Sequence, residues 1–185
     1  MSTSLARTLV LEELSNGIPV IPEEAVGFYK QNCMVCFFTQ NHSSGVIIDV
    51  NYERSQLQFE ICWEGEVTPQ IERAYRDKNK TTDFGACAIA LLLIRELTEL
   101  TAIEQSNVGT TIDYYLIRKT EYKDDTLIFN NSAYLEVSGI RCENENNTVE
   151  GRVEEKVHRL KKQEDLPTYI SVVDFNRPWS KMVVV

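Results

Sequence analysis

Residues 109–140 read GTTIDYYLIRKTEYKDDTLIFNNSAYLEVSGI, and they decide the fold. β-Branched and aromatic residues crowd 110–118 and 132–140, while Lys123, Asp124, Asp125, Asn130 and Asn131 mark the connection. That composition predicts two strands joined by a polar, charged segment. Side chains alternate along a strand, so Thr111, Asp113 and Tyr115 share one face and Ile112, Tyr114 and Leu116 the other. In the second strand Tyr134, Glu136 and Ser138 share a face, with Leu135 and Val137 opposite. Pairing of the two strands sets Asp113 beside Glu136. Adjacent carboxylates in a half-buried sheet repel and are poorly solvated, which calls for a proton, a basic side chain or a divalent cation. Mg²⁺, held by one or two carboxylates and water, is the simplest such compensation.

The neighbouring segments build a core around this pair. FGACAIALLLIREL, 84–97, is apolar around most of a helix circumference, so it predicts a helix buried on several sides, with Asp83 as its cap after the polar break 78–82. A strand is expected at 101–106, followed by a sharp turn at Asn107, Val108 and Gly109. Beyond Ile140 a polar loop leads to Thr148, which caps a helix with Val149, Val153, Val157 and Leu160 on one face. Arg152, Lys156, Arg159 and Gln163 run beside that face at helical spacing. They read either as a solvated basic face offset by Glu150, Glu154 and Glu155, or as a cation source for the carboxylate pair. Residues 168–175 read as a strand covered on both faces, and 181–185 as a final edge strand that must be covered or used in self-association.

The order helix, strand, strand with Asp113, strand with Glu136, helix, strand resembles the core of the PD-(D/E)XK nuclease superfamily, the restriction-endonuclease-like fold. The resemblance covers about the last hundred residues. It makes Asp113 the motif aspartate and Glu136-Val137-Ser138 the counterpart of the E-x-K tripeptide, with Ser138 where the family has its water-orienting lysine. It implies a metal site of Asp113, Glu136, the Val137 carbonyl and Glu96 from the first core helix, with Mg²⁺ as cofactor and Mn²⁺ as substitute. It also implies that Lys156 or Arg152, reaching in from the neighbouring helix, replaces the missing lysine.

The first eighty residues carry a different pattern. Pro22 followed by EEAVGFYKQ predicts a short helix, its acids favoured by the helix dipole. Residues 34–39, 46–50 and 56–63 read as a three-stranded antiparallel meander with NHSSG and NYERSQ as turns. Thr68 and Pro69 open a polar helix reaching about Asp77. The expected architecture is therefore an α/β (α+β) mixed sheet flanked by helices: an N-terminal segment, 1–80, beside a restriction-endonuclease-like core, 81–185, in one compact unit.

Composition narrows the functions. With 43% hydrophobic and 25% charged residues, a substantial core is expected. A formal net charge of −9 opposes broad nucleic-acid binding, so any nucleic-acid contact must be local. The longest apolar run, 86–94, is too short to span a bilayer, and no signal-peptide pattern opens the chain, so a cytoplasmic protein without a membrane partner is expected. Five scattered cysteines read as reduced thiols. Cys33-Met34-Val35-Cys36 lies in an apolar run without a second ligand pair, which favours core packing over zinc. His42 and His158 have no partner at ligand spacing and are assigned to the surface. No glycine-rich phosphate loop or Ser-His-Asp arrangement is present. Two functions follow: a Mg²⁺-dependent nuclease, or a catalytically inactive nuclease scaffold serving as a protein-binding, regulatory or homo-oligomeric module.

Overall fold

The computed structural model describes residues 7–107, 109–123, 130–160 and 166–185. The described elements are β1 (Arg7–Val10), α1 (Glu23–Phe38), β2 (Val46–Tyr52), β3 (Ser55–Cys62), α2 (Pro69–Ala74), α3 (Lys78–Leu97), β4 (Leu100–Gln105), β5 (Tyr114–Arg118), β6 (Ala133–Ile140), α4 (Val149–Leu160), β7 (Thr168–Asp174) and β8 (Trp179–Val184). All eight strands join one mixed sheet in the order β1-β3-β2-β8-β7-β6-β5-β4. β4, β5 and β6 are successive antiparallel neighbours, and β7 lies parallel to β6 after the α4 crossover.

The larger core lies where α1 and α3 pack on the sheet, with Phe37, Leu92, Tyr114, Leu135 and Phe175 among its members. A smaller core under α4 gathers Val149, Val153, Leu160, Ile170 and Val172, with Tyr115 and Tyr134 at its margin. Strand alternation therefore sends Tyr114 and Leu135 to one layer and their neighbours Tyr115 and Tyr134 to the other. Among the described residues no helix is long and apolar enough to cross a membrane.

The expected N-terminal meander is corrected. Residues 34–38 belong to α1, and the third strand beside β2 and β3 is β1, which runs parallel to β3. A continuous apolar run such as CMVCFF fits a helix buried all round as well as a buried strand, and local periodicity does not separate them. Contacts distant in sequence favour the helix. Gly85 of α3 lets α1 approach so closely that an added Cβ would lie 2.9 Å from the Cys36 sulfur and 3.2 Å from Cys33 Cα. Cys36 Sγ donates to the Thr81 carbonyl, and Arg141 donates to the Val35 carbonyl and to Thr39 Oγ1.

The starts of α3 and β5 also shift, and the last strand changes place in the sheet. Thr68 caps α2 as expected, accepting from the Ile71 N–H, but α3 begins at Lys78 with Asp77, not Asp83, as its cap. β5 starts at Tyr114, so Asp113 stands just outside the strand. The C-terminal strand is interior rather than an edge: β7 flanks β8 on one side and β2 on the other, which covers its apolar run. The connection 124–129, Val108 of the expected turn, and Gln163 lie outside the described residues.

Candidate functional site: a carboxylate pair at an open strand edge

β6 is longer than its neighbour β5. The last pair between them is Tyr114 with Leu135, whereas β6 continues beside β7 to Ile140. Beyond Leu135 the β5-facing edge of β6 has no strand partner among the described residues, and unpaired backbone groups at such an edge need other partners. Asp113 supplies the first. Its N–H donates to the Leu135 carbonyl at 2.9 Å, and its Oδ2 accepts the Val137 N–H at 2.7 Å. The Val137 carbonyl points to the same edge, because a residue's N–H and C=O share one side of a strand. Two residues on, the Gly139 carbonyl accepts from Arg152 Nη1 at 3.0 Å.

Glu136 projects towards α4 and is only 6% exposed. Lys156 Nζ donates to its Oε1 in a close ion pair, and Arg159 Nη2 donates to the same oxygen at 3.2 Å. Burial first, and then the neighbouring Asp113 carboxylate, push the Glu136 carboxyl up to about 7, with Lys156 acting in the opposite direction. The two acids are therefore close enough to oppose each other's charge. Ser138, also buried, accepts from Arg152 Nη1 at 2.7 Å, while Arg152 Nε donates to Asn147 Oδ1. Ser138, Asn147, Arg152, Glu155, Lys156 and Arg159 line a cleft of about 590 Å³ beside the pair.

Helical spacing explains this convergence. Arg152, Lys156 and Arg159 recur every three or four residues, so burial of Val149, Val153 and Leu160 against the sheet turns the adjacent basic stripe to Ser138 and Glu136. Of the cations expected to serve the site, Arg152 reaches Ser138 and Lys156 reaches Glu136. Arg159, read only as part of the basic stripe, is a second partner of Glu136.

Glu96 is not brought to this group. It lies near the far end of α3, thirteen residues beyond Asp83 and about 20 Å along the helix. There it accepts from Arg95 Nε at 3.0 Å and helps line a separate cavity with Glu13, Asn16, Lys119 and Tyr122. The acid that α3 directs to the site is Asp83. Partial desolvation first, then Asp113, hold its carboxyl above the ordinary aspartate range, and Arg152 and Lys156 oppose that shift. Sequence reading assigned Asp83 to capping. The sequence shows only an acid at the start of the apolar helix, and the cap that this position suggests is supplied instead by Asp77.

The donors are the Asp113 carboxylate and the Val137 carbonyl at the edge and the Glu136 carboxylate facing α4, all hard oxygen ligands of the type Mg²⁺ takes with water completing its shell. In donor chemistry they fit that ion. Among the described residues, no group of three or more His, Cys, Asp or Glu side chains is gathered tightly enough to hold a metal. Cys33 and Cys36 are buried in α1, where burial pushes the Cys36 thiol up to about 12. Comparison with known proteins finds no matching family model, no matching curated protein and no matching solved structure.

Proposed function

We propose that this chain is a metal-dependent phosphodiesterase of restriction-endonuclease-like architecture, with Lys156 on the crossover helix supplying the cation that its strand motif lacks. The observation that carries the proposal is the Lys156–Glu136 ion pair beside Asp113 at the open edge of β6. The sequence of elements supports it: a buried helix, three antiparallel strands and a crossover helix precede a strand parallel to the third.

In this reading Asp113, Glu136 and the Val137 carbonyl would hold Mg²⁺. The bound ion would lower the pKa of a coordinated water and offset charge developing on the phosphate. Lys156 orients Glu136, and in this reading its ammonium would stabilise a phosphate oxygen. Arg152 and Arg159 bring positive charge to a cleft that Glu145 and Glu155 also line, so any contact with an anionic backbone there would be local. Ser138 cannot replace the motif lysine as a cation, and it serves instead as an acceptor for Arg152.

Calorimetric titration with Mg²⁺ and Mn²⁺ tests the site without relying on turnover. Binding is expected in the wild type, with loss in Asp113→Ala and Glu136→Ala. Lys156→Ala should retain metal binding and lose cleavage of single- and double-stranded oligonucleotides. Absence of heat at millimolar metal favours a second reading, an inactive scaffold acting as a protein-binding or homo-oligomeric module. That alternative is supported by the two cations already neutralising Glu136.

A further inference from the structure

One exposed aromatic ring, two half-buried ones and a run of cations meet where α1, α2 and α3 come together. Phe28 of α1 is 42% exposed. Its ring packs edge-on against Phe84 at 4.8 Å and tilts against Tyr75 at 6.3 Å. Tyr75 is held by its hydroxyl, which donates to Gln31 Oε1 at 2.8 Å. Behind these rings Tyr29 packs on Phe84 and meets the Tyr114 hydroxyl at 3.3 Å, one residue from Asp113. Phe84 follows Asp83 in α3, and Tyr114 follows Asp113, so these two rings lie in the α1–α3 layer next in the chain to two acids of the candidate site.

The chain at this corner, 73–80, reads RAYRDKNK, four cations and one carboxylate, flanked by Glu72 and Asp83, in a protein of net charge −9. Arg73, Arg76, Lys78 and Lys80 are all exposed. The first turn of α3 contains no acid, although the positive end of a helix dipole favours acids and disfavours Lys78 and Lys80. Apart from Asp77, which lies 3.8 Å from Lys80, the local structure leaves that charge facing solvent. Asp77 supplies the favoured acid as the cap of α3, and the two lysines add charge beyond what capping needs. Accessible rings among cations match a strand whose bases are free to stack while its phosphates contact Lys and Arg. A duplex hides those base faces.

We propose that this corner binds single-stranded nucleic acid, with bases stacking on Phe28 and Tyr75 and phosphates meeting Arg76, Lys78 and Lys80. The proposal rests on the phosphodiesterase reading and gives that site a substrate class.

Fluorescence anisotropy with a labelled oligothymidylate of roughly 20 nucleotides, in EDTA and at low salt, tests binding separately from metal chemistry. The wild type should bind, and its affinity should fall as salt rises. Phe28→Ala should weaken binding by on the order of tenfold, whereas Phe28→Trp retains it. Arg76→Glu with Lys80→Glu should weaken binding by a similar or larger factor and reduce the salt slope. Lys80→Glu places an acid in the first turn of α3, where the dipole favours it, so lost binding would not reflect lost folding. Absence of binding, equal affinity for a duplex or for base-free polyphosphate, or unchanged binding by both variants would each overturn the proposal. Retained binding by a protein that binds no metal would uphold this surface while removing the phosphodiesterase.

Discussion

Asp113 Oδ2 accepts the Val137 backbone N–H at 2.7 Å, completing with a side chain the ladder that β5 leaves unfinished. One carboxylate thus terminates a strand edge and approaches Glu136, so its structural and chemical effects are separable by substitution.

Asp113→Ala leaves the Val137 N–H without its partner at a buried residue and should destabilise the fold by about 1–3 kcal/mol. Asp113→Asn keeps an oxygen acceptor and should cost less. Urea denaturation of both variants checks the order, and an Ala variant as stable as the Asn variant would contradict the edge-capping role.

Glu136 sets a pH dependence whose direction follows from its raised carboxyl, near 7 in the fold against an ordinary value of 4.5. The folded state holds the proton more tightly than the unfolded state, so this group favours folding most at low pH. Its contribution declines as pH rises from about 4.5 through 7. Glu136→Gln should flatten the change in thermal midpoint between acid and neutral pH. An unaltered profile would show that another group controls that range.

Gly139 lies where α3 presses on β6: an added Cβ would fall 2.5 Å from the Thr82 carbonyl oxygen and 2.7 Å from Thr82 Cγ2. Gly139→Ala should therefore lower stability by at least ~1–3 kcal/mol, because backbone must move to relieve the overlap. Gly27→Ala meets no heavy atom within 4 Å and serves as a control. Chemical denaturation should separate the two variants.

Thiol labelling should report the same packing. Cys142 is exposed, whereas Cys33, Cys36 and Cys87 are buried and their thiols are raised by burial. In the folded protein Cys142 should react with a disulfide reagent first, and the three buried thiols only on unfolding. Rapid modification of Cys36 under native conditions would contradict the buried α1–α3 contact.

The sequence by itself determined the features that depend on short-range periodicity. These are the alternation that separates Tyr114 from Tyr115, the spacing that aligns Arg152, Lys156 and Arg159, the Thr68 cap, and the strand order from β4 through β7. It also brought Asp113 and Glu136 together, although Asp113 stands one residue before β5 rather than within it. Tertiary structure decided the rest. CMVCFF became helix because Gly85 admits α1 against α3, and 179–184 became an interior strand because β2, far away in the chain, covers its other edge. Asp83 rather than Glu96 reached the site because α3 crosses β6 at Thr82 and Gly139, leaving Glu96 several turns away. Local propensity carries the period of an element, whereas the end of a helix that meets a given strand depends on contacts between residues distant in sequence.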